Sequence, residues 1–469
     1  MKKEVLRIHN LNLEYSPAVK LENINLCLMA GENVGFLGLV NSGKNLMVDI
    51  LYGDVKINPS CFYIHGEQVI KREEITRLVY KITKTNYIID NWTVAEYICL
   101  VSDKAFLGIY RRKSLLHKTE MLLKKLNLDI DVHNKLKNLT ELEKRMIDLV
   151  KACHLGAKII IISDEFEGCS NEDILKFKQK LEEIKNNDIV VITNCYSDHV
   201  LRILSDRFIV FHKGYILKKW KGLIQENNHL SEYLLNLISE TAIKKEANNE
   251  NDKETAKIIY SIHNLVLKEN SSVRLDFFMN EVVILRVMNA KVKKQLFDLL
   301  TGRLIDKGMK IYLEDRLCQF HAVNDFIRSK IVSIANLGGK DELFLEMSAG
   351  DNLLIPSVTK ISALDYMHTG YKMSSALKSE MNVNLSDNGR NIRSLGTMDY
   401  VILLLEKWYI YNPKILILYE PFIHCDIYGV SVVKSYIKKF IEIGTTVIIV
   451  QSREEYVEDI SDKIIKIDA

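Results

Sequence analysis

A glycine-rich segment near the N-terminus constrains the fold of this chain more than any other feature. Residues 38–45, Gly-Leu-Val-Asn-Ser-Gly-Lys-Asn, fit the pattern G-x-x-x-x-G-K-[ST] until the last position, where an asparagine replaces the hydroxyl residue. The segment follows an apolar, strand-like run (34–39) and opens a helix-like run (44–51). In such loops the backbone N–H groups and the helix N-terminus cradle phosphates, and the lysine reaches the terminal phosphates. The candidate nucleotide-binding residues of this loop are Gly38, Asn41, Ser42, Gly43, Lys44 and Asn45.

A second motif lies about 120 residues further along the chain, at the spacing expected of a nucleotide site. Residues 159–163 form an apolar run that predicts a buried strand, and Asp164 and Glu165 follow it directly. With the glycine-rich loop present, we interpret Asp164 as a Mg²⁺ ligand and Glu165 as a catalytic carboxylate that activates water. The alternative is that both carboxylates only end a buried strand. Asn45 is a second candidate metal ligand through its amide oxygen, although an asparagine also suits a helix start.

Composition narrows the class of protein. The chain has 469 residues, 64 Lys and Arg against 61 Asp and Glu, and a formal net charge of +3, so a nucleic-acid partner is not predicted. Its eight cysteines show no C-x-x-C pair, which favours buried, reduced thiols in a cytosolic protein. The longest apolar runs have the length of strands. We therefore expect a cytoplasmic protein that reaches the inner face of the membrane only through a partner.

The chain repeats itself on the scale of a domain. Glu165 after its isoleucine strand corresponds to Glu420 after residues 415–418, an offset of 255 residues (420 − 165). A charged, asparagine-rich stretch between the repeats predicts a solvated linker. The predicted domains are therefore residues 1–240 and 256–469, joined by a linker at 241–255.

The pattern within each half predicts an α/β fold. Strand-like runs of Ile and Val alternate with amphipathic, helix-like stretches, for example at 113–126, 139–152 and 398–409. Such alternation is typical of helices packed on a largely parallel sheet.

Both halves resemble ATP-binding cassette (ABC) ATPases, and the whole chain resembles the fused double cassettes of ribose/galactose-type sugar importers. In the first half the resemblance rests on the two motifs above and on residues 31–32, 51–53 and 93–96. In the second half it rests on residues 343–348, 407–408 and 412–421. The resemblance implies two tandem P-loop NTPase domains, each with a mixed sheet, flanking helices and a helical subdomain. It also implies ATP and Mg²⁺ as cofactors and an adenine-stacking role for Tyr15.

Several family motifs are altered in this chain. The signature Leu-Ser-Gly-Gly-Gln appears as Leu-Thr-Glu-Leu-Glu at 139–143 and as Leu-Gly-Thr-Met-Asp at 395–399. Lys84 stands at the position of the Q-loop glutamine, and Asn194 stands at that of the switch histidine. In the family that this chain resembles, the signature contacts the phosphate bound by the opposite cassette. Carboxylates at Glu141 and Glu143 would therefore repel that phosphate.

The second half has lost its phosphate-binding loop. The corresponding segment, 286–294, contains no glycine, and Tyr419 stands at the position of the Walker B aspartate. We therefore interpret Glu420 as structural. Three lysines of this segment (291, 293 and 294) predict a solvated helix face, with a phosphate or partner patch as the alternative.

Two functions remain open from the sequence. The first is the ATP-binding subunit of a carbohydrate importer, with weak or no hydrolysis, that couples nucleotide occupancy to an integral membrane permease-like subunit. The second is a non-hydrolysing pseudo-ATPase adaptor in a sugar-sensing complex, with a membrane sensor as its partner. A soluble double-cassette translation factor is disfavoured, because those proteins keep both signatures. The altered motifs favour weak or absent hydrolysis in either case, since removing one phosphate-contacting donor typically costs about 10²–10³ in rate.

Overall fold

The computed structural model describes most of the chain, in two compact units, Met1–Thr241 and Ala242–Ala469. The predicted linker at 241–255 lies outside the described residues. The described residues are 3–16, 19–87, 89–99, 112–184, 188–222, 257–268, 271–306, 308–360, 372, 392–423, 425–453, 455–457 and 459–467.

The first unit alternates strands and helices along most of its length. Its strands are β1 (Glu4–Ser16), β2 (Val19–Met29), β3 (Asn33–Leu37), β4 (Phe62–Ile64), β5 (Glu67–Gln68), β6 (Val79–Thr83), β7 (Ile159–Ser163), β8 (Val190–Thr193), β9 (Arg207–His212) and β10 (Tyr215–Lys221). Its helices are α1 (Lys44–Tyr52), α2 (Glu73–Thr76), α3 (Val94–Cys99), α4 (Arg112–Lys125), α5 (Glu141–His154), α6 (Asn171–Ile184) and α7 (Asp198–Leu204). Short 3₁₀ turns lie at Pro59–Cys61, Lys84–Tyr87 and Leu136–Asn138.

Two sheets build the first unit. One is antiparallel, with the strand order β2-β1-β4-β5. The other has the order β10-β9-β3-β8-β7-β6, and it is parallel from β9 to β6 with β10 antiparallel at its edge. Because parallel strands end at the same edge of a sheet, the segments that follow β3, β7 and β8 meet there.

The central strands are buried because both faces of the sheet are covered. All residues of β3 and β8 are buried, as are the four isoleucines of β7. Continuous apolar runs of this kind are typical of parallel strands with layers on both sides. One hydrophobic core joins the antiparallel sheet, α1 and one face of the parallel sheet; it includes Leu6, Ile24, Phe36, Met47 and Ile161.

The second unit repeats this plan. Its strands are β11 (Ile258–Lys268), β12 (Ser271–Phe278), β13 (Val282–Arg286), β14 (Lys310–Leu313), β15 (Arg316–Cys318), β16 (Ile331–Ile334), β17 (Ile415–Tyr419), β18 (Thr446–Gln451) and β19 (Lys463–Lys466). Its helices are α8 (Ala290–Leu300), α9 (Val323–Arg328), α10 (Ala349–Leu354), α11 (Thr397–Tyr411) and α12 (Ile427–Glu442). Short 3₁₀ turns lie at Lys340–Glu342, Ile355–Lys360 and Ile392–Ser394.

The sheets of the second unit follow the same division. An antiparallel sheet has the order β12-β11-β14-β15, and a parallel sheet has the order β16-β17-β18-β13-β19. Two hydrophobic clusters cover its faces, one around α11 and α12 and the other around α8.

These observations confirm the predicted fold class, a tandem pair of α/β units with helices on a largely parallel sheet. Each unit contains both parallel and antiparallel strand pairs, which lie in one antiparallel sheet and one largely parallel sheet. The helices predicted at 113–126, 139–152 and 398–409 are confirmed as α4, α5 and α11. In the described part of the chain, no helix is long and apolar enough to cross a membrane.

A buried carboxylate joins three elements of the first unit. Asp148 of α5 is fully buried and accepts hydrogen bonds from Tyr80 of β6 at 2.7 Å and from Tyr97 of α3 at 2.5 Å. The Asn86 amide donates to its second oxygen at 3.1 Å. Burial first, and then the nearby carboxylate, raises the pKa of Tyr80 and of Tyr97, so both hydroxyls stay protonated as donors.

We expect Asp148→Ala to lower the free energy of unfolding by about 3 kcal/mol, because it removes the acceptor that the Tyr80 and Tyr97 hydroxyls share. Tyr80→Phe keeps the ring and removes one hydrogen bond, so it should cost only about 1 kcal/mol. Asp129 is exposed, and Asp129→Ala serves as the matched control, with a change within about 0.5 kcal/mol. Urea unfolding of the three variants measures these differences. Equal stability of Asp148→Ala and the control would contradict this account.

Candidate functional site

The loop between β3 and α1 has the tight backbone that its glycines predict. A Cβ on Gly38 would lie 2.4 Å from Ser42 Oγ and 2.7 Å from the carbonyl oxygen of Phe211, so no larger residue fits. Gly43 has a φ of 98°, and a Cβ there would lie 2.8 Å from Leu21 Cδ2. Gly38 is therefore required because neighbouring atoms lie too close for a side chain, and Gly43 is required because of its positive φ as well.

The N-terminus of α1 has no side-chain cap. Its N-cap residue is Gly43, which has no capping side chain, so the first turn has no side-chain acceptor from that position. Asn41 is exposed in a left-handed conformation, with a φ of 65°. Ser42 is buried, and its Oγ has no hydrogen-bond partner within the described ranges.

Lys44, the predicted phosphate ligand, is held inside the first unit. Only 2% of its surface is exposed. Its ammonium group donates to the carbonyl oxygen of Cys195 at 2.7 Å and lies 4.1 Å from the centre of the Tyr196 ring. The lysine is thus directed at the loop that follows β8.

Asn45 is bound to the same loop. Its amide oxygen accepts from Asn194 Nδ2 at 2.9 Å, and its Nδ2 donates to the Tyr196 hydroxyl at 2.9 Å. The switch position, Asn194, is therefore in direct contact with the last position of the phosphate-binding motif. A metal at Asn45 competes with Asn194 for the amide oxygen, and the metal-ligand role of Asn45 remains a prediction.

Asp164 forms a buried ion pair that the sequence did not predict. Arg145 Nη2 donates to Asp164 Oδ1 at 2.7 Å, and the side chains are 1% and 2% exposed. The Phe166 N–H donates to the same oxygen at 2.6 Å. Asp164 Oδ2 is buried and has no hydrogen-bond partner among the described residues. One carboxylate oxygen is thus fixed by the protein, and the other is buried without a hydrogen-bond partner among the described residues.

Glu165 caps the helix that follows β8. Its Oε1 accepts from the Tyr196 N–H at 2.8 Å, and its Oε2 accepts from the Ser197 N–H at 3.2 Å. Ser197 is the N-cap residue of α7, and a carboxylate is favoured near the positive end of a helix. Both oxygens of the predicted catalytic carboxylate are therefore engaged by backbone.

Tyr15 lies near the end of β1 with 62% of its surface exposed. A ligand can reach the ring, and its adenine-stacking role remains a prediction.

The residues present fit ATP with Mg²⁺. Phosphates suit the loop backbone and the open N-terminus of α1, and the partnerless Asp164 Oδ2 suits a hard cation. No group of three His, Cys, Asp or Glu residues gathers to hold a metal in the described ranges. Mg²⁺ does not need such a group, because it is usually bound through one or two carboxylates, water and substrate phosphates.

The altered signature positions are occupied by capping interactions. At the start of α5, the Glu143 carboxylate accepts from the Thr140 N–H at 2.7 Å, and the Glu143 N–H donates to Thr140 Oγ1 at 3.2 Å. At the start of α11, the Gly396 N–H donates to the Asp399 carboxylate at 2.9 Å. Burial raises the pKa of Asp399, and the Gly396 N–H opposes that rise. Both helix N-termini therefore carry an anion of their own chain.

The Q-loop position also carries an internal ion pair. Lys84 is paired with Glu167, which lies two residues after Glu165. The Glu141 carboxylate is paired with Lys144 and Arg145 rather than extended from the helix.

The second unit holds a buried lysine where the first unit has Lys44, its predicted phosphate ligand. Lys293 of α8 is fully buried, so the prediction that it lies on a solvated helix face is wrong. Its ammonium group contacts the Glu420 carboxylate and Ser452 Oγ, the latter at 2.6 Å. The Ser452 N–H donates to Glu420 at 2.9 Å. Helical periodicity explains the error, because residue 293 shares a face with Leu296 and Leu300 while Lys291 and Lys294 are exposed.

Sequence reasoning missed Arg145 and Tyr196. Arg145 could have been found as a charged residue inside the apolar stripe of an amphipathic helix, since such a residue requires a buried partner. No local motif marks Tyr196, because its contacts with Lys44 and Glu165 are made across adjacent strands.

Comparison with known proteins gives relatives along the whole chain. No protein-family model matches. The chain is 22% identical over 462 residues to the ribose import ATP-binding protein RbsA of Clostridium perfringens, covering 96% of this chain and 90% of the relative. It is 20% identical to the xylose import ATP-binding protein XylG of Thermoanaerobacter pseudethanolicus, covering 100% and 95%. The predicted resemblance to the ATP-binding proteins of sugar importers is thereby confirmed.

A solved structure also matches in part. It is a nucleotide-free ATP-binding cassette from an ABC transporter, 18% identical, covering 51% of this chain and 96% of that chain with a TM-score of 0.41.

We expect Lys293→Met to lower the free energy of unfolding by about 3–5 kcal/mol, because it leaves the Glu420 carboxylate buried without its cation. The double variant Lys293→Met/Glu420→Gln removes both charges and should be more stable than Lys293→Met alone. Lys294→Met is the matched control at the exposed neighbour, with an effect within about 0.5 kcal/mol. Urea unfolding distinguishes the cases. A double variant as unstable as the sum of its single variants would show that the two groups do not interact.

Proposed function

We propose that this protein is the ATP-binding subunit of a carbohydrate importer of the ABC type, with one functional nucleotide site in its first unit and weak or absent hydrolysis. The single observation that carries the proposal is the glycine loop with Lys44, next to a buried aspartate with one oxygen left for a cation. The similarity to ribose and xylose import ATP-binding proteins along the whole chain supports the carbohydrate class. The protein then acts from the cytoplasm, peripheral to the inner face of the membrane, through an integral membrane permease-like partner.

ATP binding uses this chain's own groups as follows. The backbone of residues 38–43 and the N-terminus of α1 hold the phosphates, Lys44 neutralises their charge, and Tyr15 stacks on adenine. Asp164 would be the main protein ligand for Mg²⁺ through Oδ2, and the cation would neutralise charge on the phosphate oxygens. Arg145 fixes the orientation of Asp164.

Weak hydrolysis follows from the groups around Glu165. Its two oxygens accept from the N–H groups of Tyr196 and Ser197, which leaves the carboxylate poorly placed to take a proton from water. Lys84 and Asn194 stand where a glutamine and a histidine are expected from the resemblance. Orienting water and offsetting phosphate charge require several groups together, so a lone carboxylate is insufficient.

The second candidate function is a non-hydrolysing pseudo-ATPase adaptor whose membrane partner is a sensor. The capping interactions at both signature positions favour it, because a helix N-terminus that already binds a carboxylate of its own chain is a poor site for phosphate. Phosphate release in the presence of a reconstituted membrane partner distinguishes the two functions.

We expect the full-length protein to bind one molecule of a slowly hydrolysed ATP analogue per chain, in the first unit. The Lys293–Glu420 pair satisfies the second unit's lysine internally, so a second phosphate site is not expected there. Lys44→Met should abolish measurable binding, because it removes the cation of the loop. Methionine is unbranched and close to lysine in length, so the packing around the side chain is kept. Isothermal titration measures the stoichiometry and the affinity.

The matched control is Lys291→Ala, which changes an exposed lysine in the corresponding segment of the second unit. It should bind like the unaltered protein. A stoichiometry of two, or an unchanged affinity in Lys44→Met, would contradict the proposed site.

We expect turnover to be well below about one per second, a usual enzymatic scale. Glu165→Gln should therefore change phosphate release little, because the groups that would orient water beside it are replaced. Phosphate release is measured on the purified protein, alone and with its reconstituted membrane partner. Turnover of one per second or faster that is lost in Glu165→Gln would restore an ordinary transport ATPase.

A further inference from the structure

The segment of residues 194–197, here called the tyrosine loop, contacts three of the predicted site residues at once. It lies between β8 and α7. The Cys195 carbonyl and the Tyr196 ring hold the Lys44 ammonium group, at 2.7 Å and 4.1 Å. The Tyr196 hydroxyl accepts from Asn45 at 2.9 Å, and the Tyr196 N–H donates to Glu165 at 2.8 Å. The phosphate-binding lysine, the candidate metal ligand and the candidate catalytic carboxylate therefore all contact Tyr196 or its peptide bonds.

These contacts compete with a phosphate for the same lysine. Lys44 is 2% exposed, and its ammonium group faces a carbonyl oxygen and the electron-rich face of an aromatic ring. Both are favourable environments for a cation. The Cys195 carbonyl takes one of the three N–H donors of the ammonium group. Because Lys44 is 2% exposed and the Tyr196 ring lies against its ammonium group, a phosphate reaches the other donors only when the ring moves.

We infer that Tyr196 is a specificity-determining latch over the phosphate-binding loop, which must move away from Lys44 before the phosphates of a nucleoside triphosphate can bind. This inference rests on the proposed function of the first unit. Tyr196 selects for ligands whose negative charge is large enough to replace the ring and the carbonyl at Lys44. Triphosphates meet that requirement better than monophosphates or neutral nucleosides.

The latch lowers the apparent affinity for the nucleotide, because only molecules in the open state, in which Tyr196 has moved away from Lys44, can bind it. A ligand that binds only the open state has its affinity reduced by the fraction of molecules in that state. Removing the latch therefore tightens binding, whereas removing a residue that merely supports the site weakens it. The direction of the change distinguishes a latch from a structural role.

The latch is also connected to Glu165. The Tyr196 and Ser197 N–H groups bind the two oxygens of this carboxylate. The hydrogen bond to Oε1 comes from the backbone, so a movement of the tyrosine loop that carries the peptide of Tyr196 away from Lys44 also releases Glu165 Oε1. Nucleotide occupancy then changes the position of the tyrosine loop and the start of α7.

The test measures the affinity of the full-length protein for a fluorescent ATP analogue with Mg²⁺. Tyr196→Ala, which removes the ring and the hydroxyl, should bind about tenfold more tightly than the unaltered protein. Tyr196→Phe keeps the ring over Lys44 and loses the contact with Asn45, so it should fall between the two. Tyr215→Ala changes an exposed tyrosine of β10 and serves as the matched control, with unchanged affinity.

A second measurement needs no nucleotide. An amine-reactive acyl ester should modify Lys44 slowly in the unaltered protein and several-fold faster in Tyr196→Ala and, to a lesser degree, in Tyr196→Phe. Peptide mapping by mass spectrometry gives the rate for Lys44, and Lys291 is the internal reference in the same sample. The Tyr196→Phe variant keeps the test decisive if Tyr196→Ala does not fold.

The outcomes separate the latch from the proposed function. If the unaltered protein and Tyr196→Ala bind the analogue equally, or Lys44 is labelled equally, the latch is refuted and the nucleotide site stands. If neither protein binds the analogue, the proposed function fails and the latch fails with it. Weaker binding by a folded Tyr196→Ala variant would show that Tyr196 supports the nucleotide rather than opposes it.

Discussion

The common edge of three parallel strands is the constraint on which the candidate site depends. β3, β8 and β7 are neighbours in one sheet, and each ends where the next residues carry chemistry. Residues 38–45, 164–165 and 194–197 therefore converge although up to 151 positions of sequence separate the partners of a single hydrogen bond. The isoleucines and valines of these strands are buried because both faces of the sheet are covered, and their packing holds the strand ends in place. The geometry of Lys44, Asp164 and Glu165 is a consequence of strand order.

Each unit of this protein contains an ion pair in which one side chain neutralises the other. In the first unit Arg145 neutralises Asp164, and both side chains are buried. In the second unit Glu420, whose side chain is 12% exposed, neutralises the buried Lys293. Removing one member of such a pair leaves an unpaired buried charge, so neither residue can change alone at low cost. Asp164 accepts through Oδ1 and Glu420 through Oε1, so in each pair one carboxylate oxygen makes the contacts. The two units differ in the loop before the helix, because residues 38–43 contain two glycines and residues 286–294 contain none. That difference is the physical basis of our proposal of a nucleotide site in the first unit alone.

Predictions from the sequence succeeded for helices, whose formation depends on neighbouring residues, and failed for contacts between residues far apart in the sequence. The helices α4, α5 and α11 followed from apolar periodicity, which is a local property. The capping box of Thr140 and Glu143 at the start of α5 was not predicted, because Glu143 was interpreted as a carboxylate facing a phosphate. Lys293 was misplaced because three lysines close together in sequence look like one solvated patch, while a helix separates them onto different faces. The Arg145–Asp164 pair was missed because its members lie on different elements, and only packing brings α5 against the end of β7.

The sequence by itself determined the α/β plan of two units, the glycine-rich loop at 38–43 and the absence of glycine from the corresponding segment, 286–294, of the second unit. These features depend on local sterics and on apolar patterning, such as the close approach at Gly38 and the positive φ of Gly43. Only the tertiary structure decided that Lys44 lies under Tyr196, that Glu165 caps α7 and that Lys293 is neutralised by Glu420. A buried charge takes the partner that the strand order and the packing of helices bring within reach, and that partner is distant in sequence.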